Sequence, residues 1–336
     1  MKIAILSSVA WRTPPLKYGP WEQVASNVAE GLVALGGVDV TLFATANSIT
    51  GGKLAAVVDS GYAETPGAEA KVLECLHISH LMERAGEFDL IHNHFDFLPL
   101  TYSRLIKTPI LTTIHGFSSE AIVPVYQRYN DICHYTSISN SDRHPALRYV
   151  ATVYNGVDTN QFSFQEKPGD YLLYFGRIHP HKGTWEAIQI AKQGKRQLII
   201  AGLVQDEQYY KEKIAPLVDG EAVKYVGNVG PEQRDSLLGN AVAMLHPISF
   251  EEPFGLSVVE AMLCGTPVIA FKKGSMPELI KHGETGFLVE NIEEATAAVG
   301  EIEGLNRLDC HRHAFQNFSR QRMVADYLEV YQRILG

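Results

Sequence analysis

The chain has no cysteine pairs, no long apolar run and no excess of positive charge. Its cysteines lie far apart, with no Cys-x-x-Cys spacing, at Cys75, Cys133, Cys264 and Cys310. This scatter excludes a disulfide or zinc framework and is typical of reduced thiols in a cytoplasmic protein. No apolar run reaches the ~18 residues that cross a bilayer, and the run after Met1 is too short for a signal peptide. We therefore expect a soluble, cytoplasmic protein that does not associate with membranes.

The net charge and the length of the chain narrow the possible classes of protein further. The net charge of -9 makes a nucleic-acid partner a poor expectation, because such proteins are usually basic. Charged residues make up 20% of the chain and hydrophobic residues 46%, so the chain can bury a core and is not disordered. A length of 336 residues exceeds one ordinary core and predicts two domains.

Short apolar runs alternate with helical patterns in both halves of the chain. In the first half, strands are predicted at 3–6, 38–43, 90–92, 110–113 and 135–138, and a helix at 21–35. A polar, turn-rich segment at 162–170 interrupts the alternation. In the second half, strands are predicted at 172–175, 197–201, 223–226, 242–245 and 268–271, and helices at 184–193, 207–217, 232–238 and 257–264. This order predicts two α/β, Rossmann-like, doubly wound domains facing a cleft, where ligands bind at the carboxyl ends of the strands.

The segment 175–183 ends a predicted strand and contains two cations, Arg177 and Lys182, just before a helix. Arg offers a fork of donors, Lys a compact charge, and the helix amino terminus adds amide dipoles. This pattern suits a diphosphate. Two solvated cations on a surface loop are the alternative.

The segment 250–262 contains two carboxylates eight residues apart, Glu252 and Glu260. Gly255 permits a tight turn into a helix, whose first amides would face an anion. Two such carboxylates suit a ligand rich in hydroxyl groups. A solvated Glu260 is the alternative, but its neighbours are nearly all apolar, and a buried carboxylate needs partners.

Other candidates are weaker by themselves. His115 directly follows a strand, where a functional side chain belongs in this architecture, although a structural histidine is nearly as good an interpretation. His92 and His94 also end a strand, and we interpret them as structural because no third metal ligand accompanies them. Gly19 precedes the first long helix and lets backbone approach a ligand, but it does not belong to a Gly-x-Gly-x-x-Gly fingerprint.

Together and in order, these segments resemble the retaining glycosyltransferases of family four, which have the two-domain GT-B architecture. The most specific part of the resemblance lies in the second half. It consists of Gly176-Arg177 with Lys182-Gly183, Glu252 to Leu256 with Glu260-Ala261, Gly265 to Val268, Gly274 with Glu278, and Gly286 to Val289.

The resemblance implies a role for each motif. Arg177 and Lys182 would bind the donor diphosphate, and Glu260 would accept hydrogen bonds from the ribose hydroxyls. Glu252 would contact the transferred sugar, and His115 would contact it from the facing domain. The remaining positions would contribute backbone, with Val229 reading the base, the amides of Phe254, Gly255 and Leu256 surrounding the sugar, and Gly19 a possible loop contact.

The implied enzyme is a hexosyltransferase that uses a nucleotide-diphosphate sugar, UDP- or GDP-linked, and needs neither cofactor nor metal. Its acceptor, a sugar or small molecule, and its oligomeric state cannot be read from the sequence. The family often has two consecutive glycines where this chain has Gly19-Pro20, and proline removes one backbone donor. A nucleotide-sugar epimerase or hydrolase of the same architecture, and a non-catalytic nucleotide-sugar binder, remain alternatives.

The polar segment at 162–170 marks the domain boundary, and the resemblance implies the role of each domain and the return of the last helix. We place the acceptor-side domain at 1–163 and the donor domain at 164–321. A C-terminal helix at 322–336 is expected to return to the first domain.

Overall fold

The computed structural model describes residues 1–117 and 119–336. They form two units, Met1–Gly156 with Arg320–Gly336, and Val157–Ser319. Each unit is a parallel β-sheet accompanied by helices, so the predicted pair of Rossmann-like α/β domains is confirmed. Among the described residues, no helix is both long enough and apolar enough to cross a membrane.

The first unit contains a seven-stranded sheet. Its strands are β1 (Lys2–Leu6), β2 (Asp39–Phe43), β3 (Lys53–Ala55), β4 (Leu90–Asn93), β5 (Ile110–Ile114), β6 (His134–Ser137) and β7 (Tyr149–Thr152), and its first helices are α1 (Pro20–Leu35), α2 (Ala70–Met82) and α3 (Val123–Arg128). The strand order is β3-β2-β1-β4-β5-β6-β7, all parallel. The order reverses between β1 and β4, which places the crevice for ligands at their carboxyl ends.

The second unit contains a six-stranded sheet. Its strands are β8 (Tyr171–Phe175), β9 (Gln197–Ala201), β10 (Val223–Tyr225), β11 (Ala241–His246), β12 (Val268–Phe271) and β13 (Gly286–Val289), and its helices are α4 (Thr184–Gln193), α5 (Glu207–Tyr209), α6 (Pro231–Asn240), α7 (Leu256–Leu263), α8 (Met276–Leu279), α9 (Ile292–Glu301) and α10 (Arg307–Phe318). The strand order is β10-β9-β8-β11-β12-β13, again all parallel. Here the order reverses between β8 and β11.

The last helix, α11 (Arg320–Leu335), belongs to the first unit. Two fully buried tyrosines of this helix form hydrogen bonds with side chains of the sheet. The Tyr331 hydroxyl lies 2.7 Å from Nδ1 of His92, and the Tyr327 hydroxyl lies 2.7 Å from Oγ1 of Thr113. The apolar spacing in the sequence thus marks the face that the helix buries.

The structure divides the chain earlier than predicted at both boundaries. The chain passes from the first unit to the second after Gly156 and returns after Ser319, whereas the predicted positions were 163 and 321. The reason is a short pairing in which Val157 bridges Ser319 and donates its amide to the Phe318 carbonyl at 2.9 Å. This pairing ties residue 157 to the second unit before the polar segment begins.

The segment predicted as one helix at 207–217 is helical throughout but irregular. It continues from α5 into a π-helical turn, Tyr210–Ile214, and a 3-10 turn, Ala215–Leu217. Pro216 has no amide hydrogen to donate, so a regular α-helical ladder cannot extend through it.

Candidate functional site

The two predicted diphosphate ligands follow β8 in the second unit. Arg177 donates from Nη1 to the side chain of Gln205 at 2.7 Å. Lys182 ends a 3-10 turn that leads into α4 through Gly183, whose φ is 75°. A Cβ on Gly183 would lie 1.9 Å from the Pro247 carbonyl oxygen, so only glycine allows this loop to lie against the residues that follow β11.

That close approach brings Lys182 to Glu252. The Lys182 ammonium forms a hydrogen-bonded ion pair with Oε2 of Glu252, and both side chains are largely buried. Nε2 of His246, the last residue of β11, lies 3.7 Å from the same carboxylate oxygen. Burial alone raises the pKa of Glu252, but His246 and Lys182 outweigh that effect and lower the pKa to about 2. Glu252 is therefore a fixed negative charge at neutral pH.

The loop after β12 holds the backbone of Glu252 in place. The Ser275 amide donates to the Glu252 carbonyl at 2.9 Å. Gly274 has φ 53°, and a Cβ on it would lie 2.3 Å from the backbone N and O of Glu252. The structure shows a support for Glu252 that requires glycine.

Helix α7 provides the second carboxylate and a set of amides. Gly255 is its N-cap, and the first amides of an α-helix, here those of Leu256 and Ser257, have no intrahelical acceptor. The Phe254 ring is buried against Phe318 at 6.0 Å between centroids, and the Phe254 carbonyl accepts a hydrogen bond from the Ser275 hydroxyl. Glu260 is buried within α7, as its apolar neighbours indicated.

Two partners of these carboxylates were missed at the sequence level. Nη1 of Arg234, in α6, lies 3.2 Å from Oε1 of Glu260. Burial raises the pKa of Glu260, and the guanidinium opposes the rise. His246 is the other missed partner. It was foreseeable because it ends β11, next to the strand that leads to Lys182.

Val229 lies in the loop between β10 and α6 and is 9% exposed. The hydrogen bonds found within 1–117 and 119–336 involve neither its amide nor its carbonyl. Its backbone is thus unengaged by the described chain, as a base-reading position requires.

His115 follows β5 in the first unit and has a histidine neighbour. Its Nε2 lies 3.0 Å from Nδ1 of His94, and its ring stacks on Trp21 at 5.8 Å between centroids. The contact arises because His94 and His115 follow adjacent parallel strands, β4 and β5. Burial lowers the pKa of His115 to about 3, so the ring is neutral at physiological pH.

The structural interpretation of His92 agrees with its contacts, since its two ring nitrogens lie 2.7 Å from Tyr331 and Thr113 hydroxyls. His94 is also fully buried, and its Nε2 has no hydrogen-bond partner in the described part of the chain. His94 therefore contacts the predicted site, which the sequence interpretation did not foresee.

Gly19 is the N-cap of α1, and Pro20 occupies the first helical position. An amide hydrogen at the first helical position has no intrahelical acceptor for any residue type. The helix therefore loses no hydrogen bond by having proline there. The same first turn buries Glu22, whose Oε1 accepts from the Trp11 amide at 3.4 Å. Burial raises the pKa of Glu22.

No group of three metal-ligating side chains is found among the described residues. The polar groups above form two clusters, one at the carboxyl ends of β8 and β11 and one at those of β4 and β5. The first holds two carboxylates, Glu252 and Glu260, and three cations, Arg177, Lys182 and Arg234. The second holds neutral histidines and aromatic rings.

Comparison with known proteins agrees with this architecture. The family model for glycosyl transferases group 1 matches residues 157–322, which is the whole second unit and the first residues of α11. The chain is 33% identical over 288 residues to N-acetyl-alpha-D-glucosaminyl L-malate synthase of Bacillus anthracis, covering 74% of this chain and 75% of that protein.

Two solved structures have a similar fold over the full chain. AviGT4, a glycosyltransferase involved in Avilamycin A biosynthesis, matches with a TM-score of 0.74 and 25% identity over 100% of this chain and 98% of its own. Anabaena Alr3699/HepE in complex with UDP-glucose matches with a TM-score of 0.74 and 20% identity over 99% of this chain and 100% of its own. The chain belongs to the glycosyl transferases group 1 family and is a GT-B glycosyltransferase.

Proposed function

We propose that this glycosyltransferase moves a hexosyl group from a nucleotide-diphosphate sugar, UDP- or GDP-linked, to a sugar or small-molecule hydroxyl with retention of configuration. The observation that carries the proposal is the buried, ionised Glu252 paired with Lys182 at the carboxyl ends of the two central strands of the second unit. A fixed anion and a fixed cation side by side suit a reaction that separates charge.

The cation side serves the leaving group. When the bond between the anomeric carbon and the diphosphate oxygen breaks, its electron pair stays on the diphosphate. Lys182 and Arg177 stabilise that charge, together with the first amides of α7. A lysine ammonium has three donors, so Lys182 can bind a phosphate oxygen and Glu252 at once.

The anion side serves the sugar. Positive charge develops at the anomeric carbon and ring oxygen as the leaving group departs, and the Glu252 carboxylate stabilises it and accepts hydrogen bonds from sugar hydroxyls. The acceptor hydroxyl then adds to the anomeric carbon and gives its proton to the diphosphate oxygen that has departed. We assign no covalent intermediate to Glu252.

The other site residues bind and orient. Glu260 accepts from the ribose hydroxyls and the Val229 backbone reads the base. The backbone of Phe254, Gly255 and Leu256 surrounds the sugar, and Gly19 contributes its loop. Neutral His115 contacts the sugar by a hydrogen bond without adding charge. No cofactor is required, and the cytoplasmic location expected from the sequence stays a prediction.

Incubation with UDP-, GDP-, ADP- and dTDP-sugars tests the proposal. UDP-glucose comes first, because HepE, which has a similar fold, is complexed with it. Water can replace an acceptor when none is supplied, so slow release of nucleoside diphosphate from one donor is the expected result. Release of an epimerised nucleotide-sugar, or binding with no turnover in the presence of an acceptor panel, would contradict transfer.

A further inference from the structure

The buried pair of Glu260 and Arg234 adds a residue to the site. Glu260 is 7% exposed, and its Oε1 is 3.2 Å from Nη1 of Arg234. Its Oε2 has no hydrogen-bond partner within 1–117 and 119–336. A buried carboxylate is normally paired on every side, so half of this one is left for another donor.

Arg234 makes further contacts through its side chain and its backbone. Its Nη2 donates to Oε1 of Gln161 at 3.1 Å, and its guanidinium lies over the Phe162 ring, 4.9 Å from the centroid. Its amide donates to the Gly230 carbonyl at 3.0 Å. Arg234 therefore sits in the first turn of α6, directly after the loop that contains Val229, and its fork is fixed relative to that loop.

A purely structural arginine in the same unit differs from it. Arg307 is 8% exposed and its three nitrogens donate to the carbonyls of residues 165, 239 and 241 and to the Thr266 hydroxyl. Nε of Arg234, in contrast, is buried with no partner in the described chain. An arginine retained for packing alone would be expected to have its donors satisfied.

We propose that Arg234 is a positioning residue for the nucleoside, because its guanidinium holds the Glu260 carboxylate in one orientation, with one oxygen turned to the ribose hydroxyls. This inference rests on the proposed function, which supplies the nucleotide donor. Glu260 without Arg234 is a buried carboxylate with no cation beside it. It would take up a proton or turn away, and a protonated carboxyl loses one acceptor.

The test compares a nucleoside diphosphate with its 2′,3′-dideoxy analogue by calorimetry. The nucleoside diphosphate used is whichever of UDP, GDP and ADP the protein binds. Loss of hydrogen bonds to a charged group weakens binding about tenfold or more. The dissociation constant of the dideoxy analogue, divided by that of the nucleoside diphosphate, should therefore be about ten or more for the wild type. In Arg234→Gln the ratio should fall to about two, because only the hydroxylated ligand loses affinity.

Two variants serve as controls. Arg234→Lys keeps a charge near Glu260 and should restore part of the ratio. Arg196→Gln removes an arginine whose ion pairs with Asp170 and Glu303 lie at the amino end of β9, away from the site, and should leave the ratio unchanged.

Each other outcome overturns the inference. Equal weakening of both ligands in Arg234→Gln would mean a structural role, and unchanged dissociation constants for both ligands would mean no role. A wild-type protein that binds dTDP but none of the three ribonucleotides would refute the inference while leaving glycosyl transfer intact. A wild-type protein that binds no nucleoside diphosphate would refute the proposed function as well.

Discussion

Replacement of Lys182 by methionine tests the diphosphate assignment, because methionine keeps the length of the side chain and removes the ammonium. The Lys182 side chain is 14% exposed, and its ammonium pairs with Glu252, which is 12% exposed. The substitution should therefore have two separable effects, one on donor affinity and one on the free energy of unfolding.

The effect on donor affinity follows from the lost contact to phosphate. A hydrogen bond to a charged group contributes ~1.5–3 kcal/mol, which corresponds to a rise of about 10- to 150-fold in the dissociation constant. Arg177 remains in the variant, so binding should weaken without disappearing.

The effect on stability follows from Glu252. A shift of its pKa from 4.5 to about 2 corresponds to ~3 kcal/mol at pH 7, shared between His246 and Lys182. We expect Lys182→Met to lower the free energy of unfolding at pH 7 by ~1–3 kcal/mol. Because the folded pKa is below the unfolded one, this stabilisation is complete above pH 4.5 and is lost as the pH falls toward 2. The difference between variant and wild type should therefore shrink at acidic pH.

Calorimetry with the nucleoside diphosphate that the wild type binds, and urea unfolding at neutral and acidic pH, measure the two effects. Lys211→Met is the matched control, since Lys211 forms an exposed ion pair with Glu207 at 3.6 Å. Such pairs contribute little, so neither quantity should change. An unchanged dissociation constant in Lys182→Met would refute the diphosphate assignment.

The remaining expectations concern metal dependence, stereochemistry and the C-terminal helix. Turnover should persist in excess chelator, because Arg177, Lys182 and the α7 amides already supply positive charge to the leaving group. Activity lost in EDTA and restored by Mg²⁺ or Mn²⁺ would contradict this. Proton NMR of the first product formed should show the anomeric configuration of the donor, and an inverted product would exclude the retaining assignment. Tyr331→Phe should lower the free energy of unfolding by ~1–3 kcal/mol, because Nδ1 of buried His92 loses its partner. Unaltered urea unfolding would show that this contact contributes nothing.

The alternation of apolar runs and helical patterns predicted most of the central strands and the fold class. It missed both edge strands of the first sheet, because β3 is exposed at two of its three residues and β7 is half-buried along its length. It also missed α2, where Val72 and Leu76 are exposed and the apolar residues do not define one face. Local periodicity reports burial, and these elements are only partly buried.

The motifs indicated where loops meet helices but not which side chains pair. Lys182 and Glu252 are 70 positions apart, and their contact depends on Gly183 lying against Pro247. Arg234 had no motif to mark it, since one arginine in a polar helix is ordinary in sequence. Only the tertiary packing of α6 against α7 shows that it neutralises Glu260.

The central claim is that the Glu252 carboxylate acts on the reacting sugar after the donor has bound. Glu252→Gln keeps the shape of the side chain and removes its charge, so the rate of donor hydrolysis at saturating nucleotide-sugar measures that claim directly. We predict a rate at least ~100-fold below wild type, with a donor dissociation constant within about threefold, because the carboxylate stabilises charge that develops only as the bond breaks. A variant that hydrolyses the bound donor at the wild-type rate would contradict the account.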